Sequence, residues 1–156
     1  MNFDGVVTGV LAVVHGLTPA YAPDHPFRVH PEDDAAGLES VAATHTRRFA
    51  VEAVGAPMEG RFISQGGLDY PEQMLALRVA YARQDFRTDR DLASAMASDL
   101  VQLVNALGPV SAWSTWASEF YVDATEPERQ DIADAGGERI IASILTIRLR
   151  AIWSAT

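Results

Sequence analysis

Four stretches of this chain alternate in character with a period of two, and one long stretch between them repeats every three or four residues. His45 to Ala53 is the first alternating stretch, with Arg47, Phe49, Val51 and Ala53 on one side and Thr46, Arg48, Ala50 and Glu52 on the other. Glu72 to Arg83 is the second, with Leu75, Leu77, Val79 and Tyr81 opposite Met74, Ala76, Arg78 and Ala80. Trp113 to Asp123 is the third, and Ile140 to Trp153 is the fourth and longest. Between the second and third, Leu92, Met96, Leu100, Leu103 and Leu107 predict a helix over Asp89 to Leu107. Thr88 or Asp89 caps it, and Gly108-Pro109 ends it. A shorter helix is predicted from a cap at Asp4 to about Leu17, on Val6, Val7, Val10, Leu11 and Val14.

These elements fit a single domain over residues 1–156. The expected fold class is α+β: a mostly antiparallel four-stranded sheet, two helices packed on one face, element order α-β-β-α-β-β. Two segments stand apart. Residues 18–43 carry Pro19, Pro23, Pro26, Pro31 and the acidic run Glu32-Asp33-Asp34, and read as an extended arm or loop with no core of its own. Residues 54–71 hold four glycines and Pro57 around the apolar island Arg61-Phe62-Ile63, and read as the tip of a long β-hairpin. Thr125 to Gly137 is polar and closes on a Gly136-Gly137 turn.

Composition removes much chemistry. There is no cysteine, so disulfides, thiolate metal sites and cysteine nucleophiles are excluded. All 12 basic residues are arginine, which removes the phosphate-loop and Schiff-base lysines. The net charge of −9 argues against free-standing nucleic-acid binding. The most apolar stretch, Val6 to Val14, is too short to span a membrane, which takes about 20 residues. Ala20-Tyr21-Ala22 looks like a signal cleavage site, but Met1 to Asp4 lacks the positive charge a signal needs, so a helix is expected there.

No set of residues nominates itself for catalysis. His25, His30 and His45 lie near Asp24, Glu32, Asp33 and Asp34 and could in principle hold a metal, but no ligand spacing is recognisable and solvated loop residues are the preferred reading. Asp85, Asp89, Asp91 and Glu72 sit at element ends, where capping accounts for two of them. Gly-x-Ser-x-Gly is absent. Trp113, Trp116, Phe120 and Tyr121 read as core and edge packing rather than as a stacking platform. On the residues alone no cofactor and no metal site is expected, and an enzyme stays open without a residue set to carry it. The outer sheet face, carrying Arg48, Arg78, Arg148 and Arg150 among small and apolar residues, suits a partner surface. The alternative is that these arginines solvate the face and pair with Glu52 and Glu119. The hairpin tip, with Arg61, Phe62, Ile63 and Tyr70, is too apolar for a free loop and is a second candidate contact.

The order of these elements resembles the tail terminator proteins of long-tailed phages and gene transfer agents. The resemblance is carried by the N-terminal helix, by Arg47-Arg48-Phe49-Ala50-Val51 running through a glycine-bearing hairpin into Leu77-Arg78-Val79-Ala80-Tyr81, by the single long helix, and by the closing strand Ile144 to Arg150. It implies a non-enzyme without catalytic residues, a virion structural protein of the tail–neck region, assembled in the host cytoplasm. Such a protein forms a hexameric ring that caps the tail tube and meets a head-completion or stopper protein. DNA only passes through its channel, and no membrane is involved. A head-tail connector or stopper is the neighbouring alternative, and a small α+β ligand-binding or enzyme domain is the more distant one.

Overall fold

In the computed structural model the central element is a strand buried on both faces, Glu72–Ala82 (β5 below). The structure describes residues 1–31, 37–55, 63–64, 67–68, 71–137 and 139–154. In chain order these form α1 (Phe3–His15), β1 (Arg28–Val29), α2 (Leu38–Ala42), β2 (Arg48–Ala53), β3 (Ile63–Ser64), β4 (Gly67–Leu68), β5 (Glu72–Ala82), a 3-10 turn at Arg83–Asp85, α3 (Asp89–Leu107), α4 (Val110–Trp113), β6 (Glu119–Ala133) and β7 (Ile140–Ile152). The main sheet has the order β1-β2-β5-β7-β6, and β3 and β4 form a separate two-stranded pair.

The fold is α+β, as the alternating pattern predicts, but the sheet is five-stranded and mixed rather than four-stranded and antiparallel. The added strand is β1, which pairs parallel to β2 through Arg28↔Arg48 and Val29↔Phe49. The remaining pairings of the main sheet are antiparallel, and the β5–β7 ladder runs unbroken from Glu72↔Ile152 to Ala82↔Ala142. That register sets Leu75, Leu77 and Val79 opposite Leu149, Ile147 and Leu145. These residues face α1 and α3 in the main core, with Phe27, Phe49 and Tyr81.

The helices are positioned by their own sequence. Asn2 caps α1, its Oδ1 accepting from the Gly5 N–H at 2.7 Å, two residues earlier than the predicted Asp4 cap. Val6, Val10 and Val14 form its buried stripe. Gly9 lies so close to Trp116 that a Cβ there would fall 2.4 Å from the indole. Helix α3 has the predicted bounds, with Thr88 accepting from the Asp91 N–H at 3.1 Å.

Residues 18–43 differ from the expected arm without a core. Phe27 is buried in the main core, β1 extends the sheet, and α2 lies against the opposite sheet face. There Leu38 and Ala42 form a second cluster with Ala80, Ala142 and Ile144. The small side chains of Ala80 and Ala142 are what let a helix approach this face. The helices therefore number four among the described residues, and they lie on both faces of the sheet rather than one.

Two further boundaries move. Trp113 ends α4 instead of opening a strand, and β6 begins at Glu119. The polar stretch from Thr125 is not a loop: β6 continues through it to Ala133, with a register irregularity between Asp123 and Glu128. Strand β7 supplies ladder hydrogen bonds to β6 whatever its side chains are.

Candidate functional site

The sheet face that α2 only partly covers gathers three of the four expected arginines. The small residues Ala50, Ala76 and Ala80 and the register partners of β5 and β7 put Arg78, Arg148 and Arg150 on it. Arg78 donates to Glu39 of α2 and, at 3.3 Å, to Glu52 of β2. The Arg78 bond holds the Glu39 carboxyl below the usual carboxylate range. Arg148 approaches Glu128 at 3.8 Å and is half exposed. Arg150 approaches Glu72 at 3.5 Å, and its guanidinium sits 4.2 Å from the centre of the Tyr121 ring. The expected Glu52 pairing is present. Glu119 instead accepts from the Tyr121 hydroxyl at 2.5 Å. Two shallow depressions flank Arg148, one bounded by Val54, Ala76 and Thr146 and the other by Met74, Tyr121 and Asp123.

Arg48 is not part of this group. It lines a separate depression with Arg28, His25, His45 and Asp85 near the β1 end of the sheet. Among the described residues no carboxylate pairs with Arg28 or Arg48. Of the hairpin candidates, Ile63 lies in β3 opposite Leu68 of β4. Arg61, Phe62 and Tyr70 lie outside the described residues.

The histidines do not converge. His25 Nδ1 is 3.9 Å from Asp85, His45 Nδ1 is 2.7 Å from the Thr44 hydroxyl, and His30 is buried. Among the described residues no three His, Asp or Glu side chains gather as metal ligands. The carboxylates at element ends are engaged in the fold: Asp85 accepts from Thr46 at 2.6 Å, Asp89 from Arg83 at 2.5 Å and Asp91 from Tyr21 at 3.2 Å. Trp116 packs edge-on against Phe120 with ring centres 5.0 Å apart. Among the described residues no helix is long and apolar enough to cross a membrane.

The most elaborate polar constellation was not singled out from the sequence. Arg47 and Asp99 are both fully buried. Arg47 Nε donates to Asp99 Oδ2 at 2.6 Å and Nη2 donates to Oδ1 at 3.1 Å, a bidentate pair. Nη1 donates to the carbonyls of Ala22 and His25 at 2.7 and 2.8 Å, and Nη2 also donates to the carbonyl of Tyr21. The guanidinium has five N–H donors, and these bonds use them all. The Tyr81 hydroxyl donates to Asp99 Oδ2 at 2.8 Å, and burial pushes the Tyr81 phenol well above its ordinary pKa. Arg47 takes a left-handed backbone, φ 60°, to reach this position. The cluster binds residues 21–25 to β2, β5 and α3, and Gln102 extends the attachment to Thr18 and Ala20. Its sequence signal was a charge in core register: Arg47 shares parity with Phe49 and Val51, and Asp99 falls between Met96 and Leu103 on the apolar stripe of α3.

A comparison with models of known protein families finds no match for this chain, and a search of curated proteins finds none either.

Proposed function

We propose that this chain is a ring-forming virion structural protein, a tail terminator that caps a tail tube and joins it to the neck. The observation that carries the reading is β6. This 15-residue strand has no buried side chain from Tyr121 to its end. Ordering backbone costs about 1–2 kcal/mol per residue, and side chains left in water return little of that. A long strand kept in this state is a surface held ready for a larger assembly. Residues 119–134 carry Glu119, Asp123, Glu126, Glu128, Asp131 and Asp134 against Arg129 alone. That charge suits the wall of a channel through which DNA slides without adhering, since carboxylates repel phosphates. The element order α1, β2, hairpin, β5, α3, β7 adds the support of the family resemblance.

The test is deletion of Gly60 to Gly67, assayed by tagged pull-down from particle-producing cells and by electron microscopy. The full chain should recover tail-tube and neck proteins and appear as a ring at the top of the tail. The deleted chain should remain folded and lose ring assembly or tail joining. Normal assembly of the deleted chain would remove the hairpin from the reading. A full-length chain without virion partners would remove the reading itself, and a ring recovered with portal and adaptor but no tail would move it to the head side.

A further inference from the structure

We propose that the recess where β1 meets the start of β2 is a binding site for a doubly charged phosphate, either inorganic phosphate or a phosphate monoester. The inference does not depend on the ring-forming reading. Arg28 of β1 and Arg48 of β2 are register partners on adjacent strands, which lie about 4.8 Å apart, and both side chains line this recess of about 260 Å³. Like charges set side by side across two strands repel each other. Among the described residues no carboxylate pairs with either guanidinium. The buried Nε of Arg48 also has no hydrogen-bond partner among the described residues. In a chain with a net charge of −9, these two cations stand unmatched.

The walls of the recess are held from behind. Arg47 donates from Nη1 to the carbonyls of Ala22 and His25, and its own carbonyl accepts from the Arg28 N–H at 2.9 Å. The Thr46 hydroxyl donates to Asp85 at 2.6 Å and accepts from the Ala82 N–H at 3.1 Å. The backbone that carries Arg28 and Arg48 is thus fixed before a ligand arrives, so binding has only side-chain ends to order.

The donors set the ligand. A guanidinium presents its N–H groups as a planar fork, and a side-on oxyanion takes Nε together with one Nη. Two guanidinia meeting on one group need more acceptor positions and more charge than a single carboxylate brings, and a phosphate dianion brings both. His25 and His45 line the same recess and add ring nitrogens. His45 Nδ1 is taken by the Thr44 hydroxyl at 2.7 Å, which leaves Nε2 for a ligand. Two carboxylates also line the recess. Asp85 is engaged by Thr46 and lies 3.9 Å from His25 Nδ1, and Asp24 is exposed to water. They repel any anion, so the arginines must carry the binding.

Calorimetric titration of the full chain with inorganic phosphate tests this, at low salt and about pH 8, where phosphate is largely a dianion. The expected result is saturable binding that Arg28→Gln and Arg48→Gln each weaken by about tenfold or more, the loss of a charge-assisted contact. Arg28 is exposed, so its variant keeps the fold. Asp24→Asn should tighten binding, and Arg148→Gln, whose side chain pairs with Glu128 outside the recess, should leave it unchanged. Methyl phosphate separates the sources: tighter binding than inorganic phosphate assigns a monoester, and the reverse order assigns the free ion. Dimethyl phosphate, with a single charge, should bind about tenfold more weakly or worse. Dimethyl phosphate bound as well as the dianion would overturn the inference and point to a nucleic-acid backbone. Phosphate binding that survives both arginine substitutions would overturn it, as would no saturable binding up to about 10 mM. Binding that appears only after Glu32→Gln, Asp33→Asn and Asp34→Asn would show that the chain's own acidic run holds the arginines, and would overturn it too.

Discussion

Replacing Asp99 with alanine removes the only carboxylate, among the described residues, bonded to a guanidinium that has no access to water. Breaking a buried pair from one side costs about 3–5 kcal/mol, because the surviving charge is left uncompensated. Here the loss falls on Nε and Nη2 of Arg47 and on the buried Tyr81 hydroxyl, which donates to the same oxygen as Nε. The carbonyls of Tyr21, Ala22 and His25 still hold the guanidinium but carry no charge to offset it. Against a net stability of roughly 5–15 kcal/mol, such a loss is a third or more of the total in most of that range. For a domain near 150 residues it lowers Tm by roughly 6–20 °C. Urea unfolding followed by tryptophan fluorescence measures it, since Trp153 is buried in the main core. Arg83→Ala, which breaks the pair with the exposed Asp89, serves as the comparison and should cost about 1 kcal/mol or less for that pair. An Asp99→Ala cost equal to that of the exposed pair would refute the argument that Asp99 neutralises a desolvated charge.

Gly9→Ala should destabilise the chain by roughly 1–3 kcal/mol despite the better helix propensity of alanine, because the new methyl meets the Trp116 ring. Thermal unfolding by circular dichroism reads this, and Trp116→Leu should relieve part of it. Tyr81, whose folded pKa is raised by burial and by Asp99, should stay protonated at a pH where exposed tyrosines ionise. The unfolded chain then releases its phenol proton first, so this contribution is complete below about pH 10 and declines as pH rises toward the folded pKa. Absorbance at alkaline pH should show one tyrosine titrating only with unfolding, and Tyr81→Phe should remove that phase.

The elements legible in the sequence are those where two physical signals agree. Helix α3 has both an apolar stripe and breakers, Thr88 before it and Gly108-Pro109 after it. Strands β5 and β7 have uninterrupted parity on a face that must be buried. Helix α2 has only five residues, too few for a period to develop, and owes its place to Ala80, Ala142 and Ile144, far away in sequence. Strand β1 has two residues and exists through the neighbouring β2 backbone. The polar half of β6 was hidden because side-chain pattern reports burial, whereas this strand is held by its ladder to β7. Arg78, Arg148 and Arg150 were legible by parity, whereas Arg48, of the same parity, lines a separate depression. Their carboxylate partners were legible only in part, because Glu39 and Glu128 arrive on elements that the pattern did not define.

The described residues between α1 and β2 lie on both faces of the sheet. Helix α1 and residues 18–27 lie over one face, β1 forms the sheet edge, and α2 lies on the other face. Residues 1–31 and 37–44 thus act as a clasp, fastened on one side by Arg47 and Gln102 and on the other by Leu38 and the Arg78–Glu39 bond. A clasp of this kind does not open by halves. Releasing the α1 side frees a buried charge, and releasing the α2 side strips the small-residue patch that admits it. The two faces of the sheet should therefore lose their cover in one event, and slow amide exchange in the clasp should track exchange in β5 rather than run ahead of it.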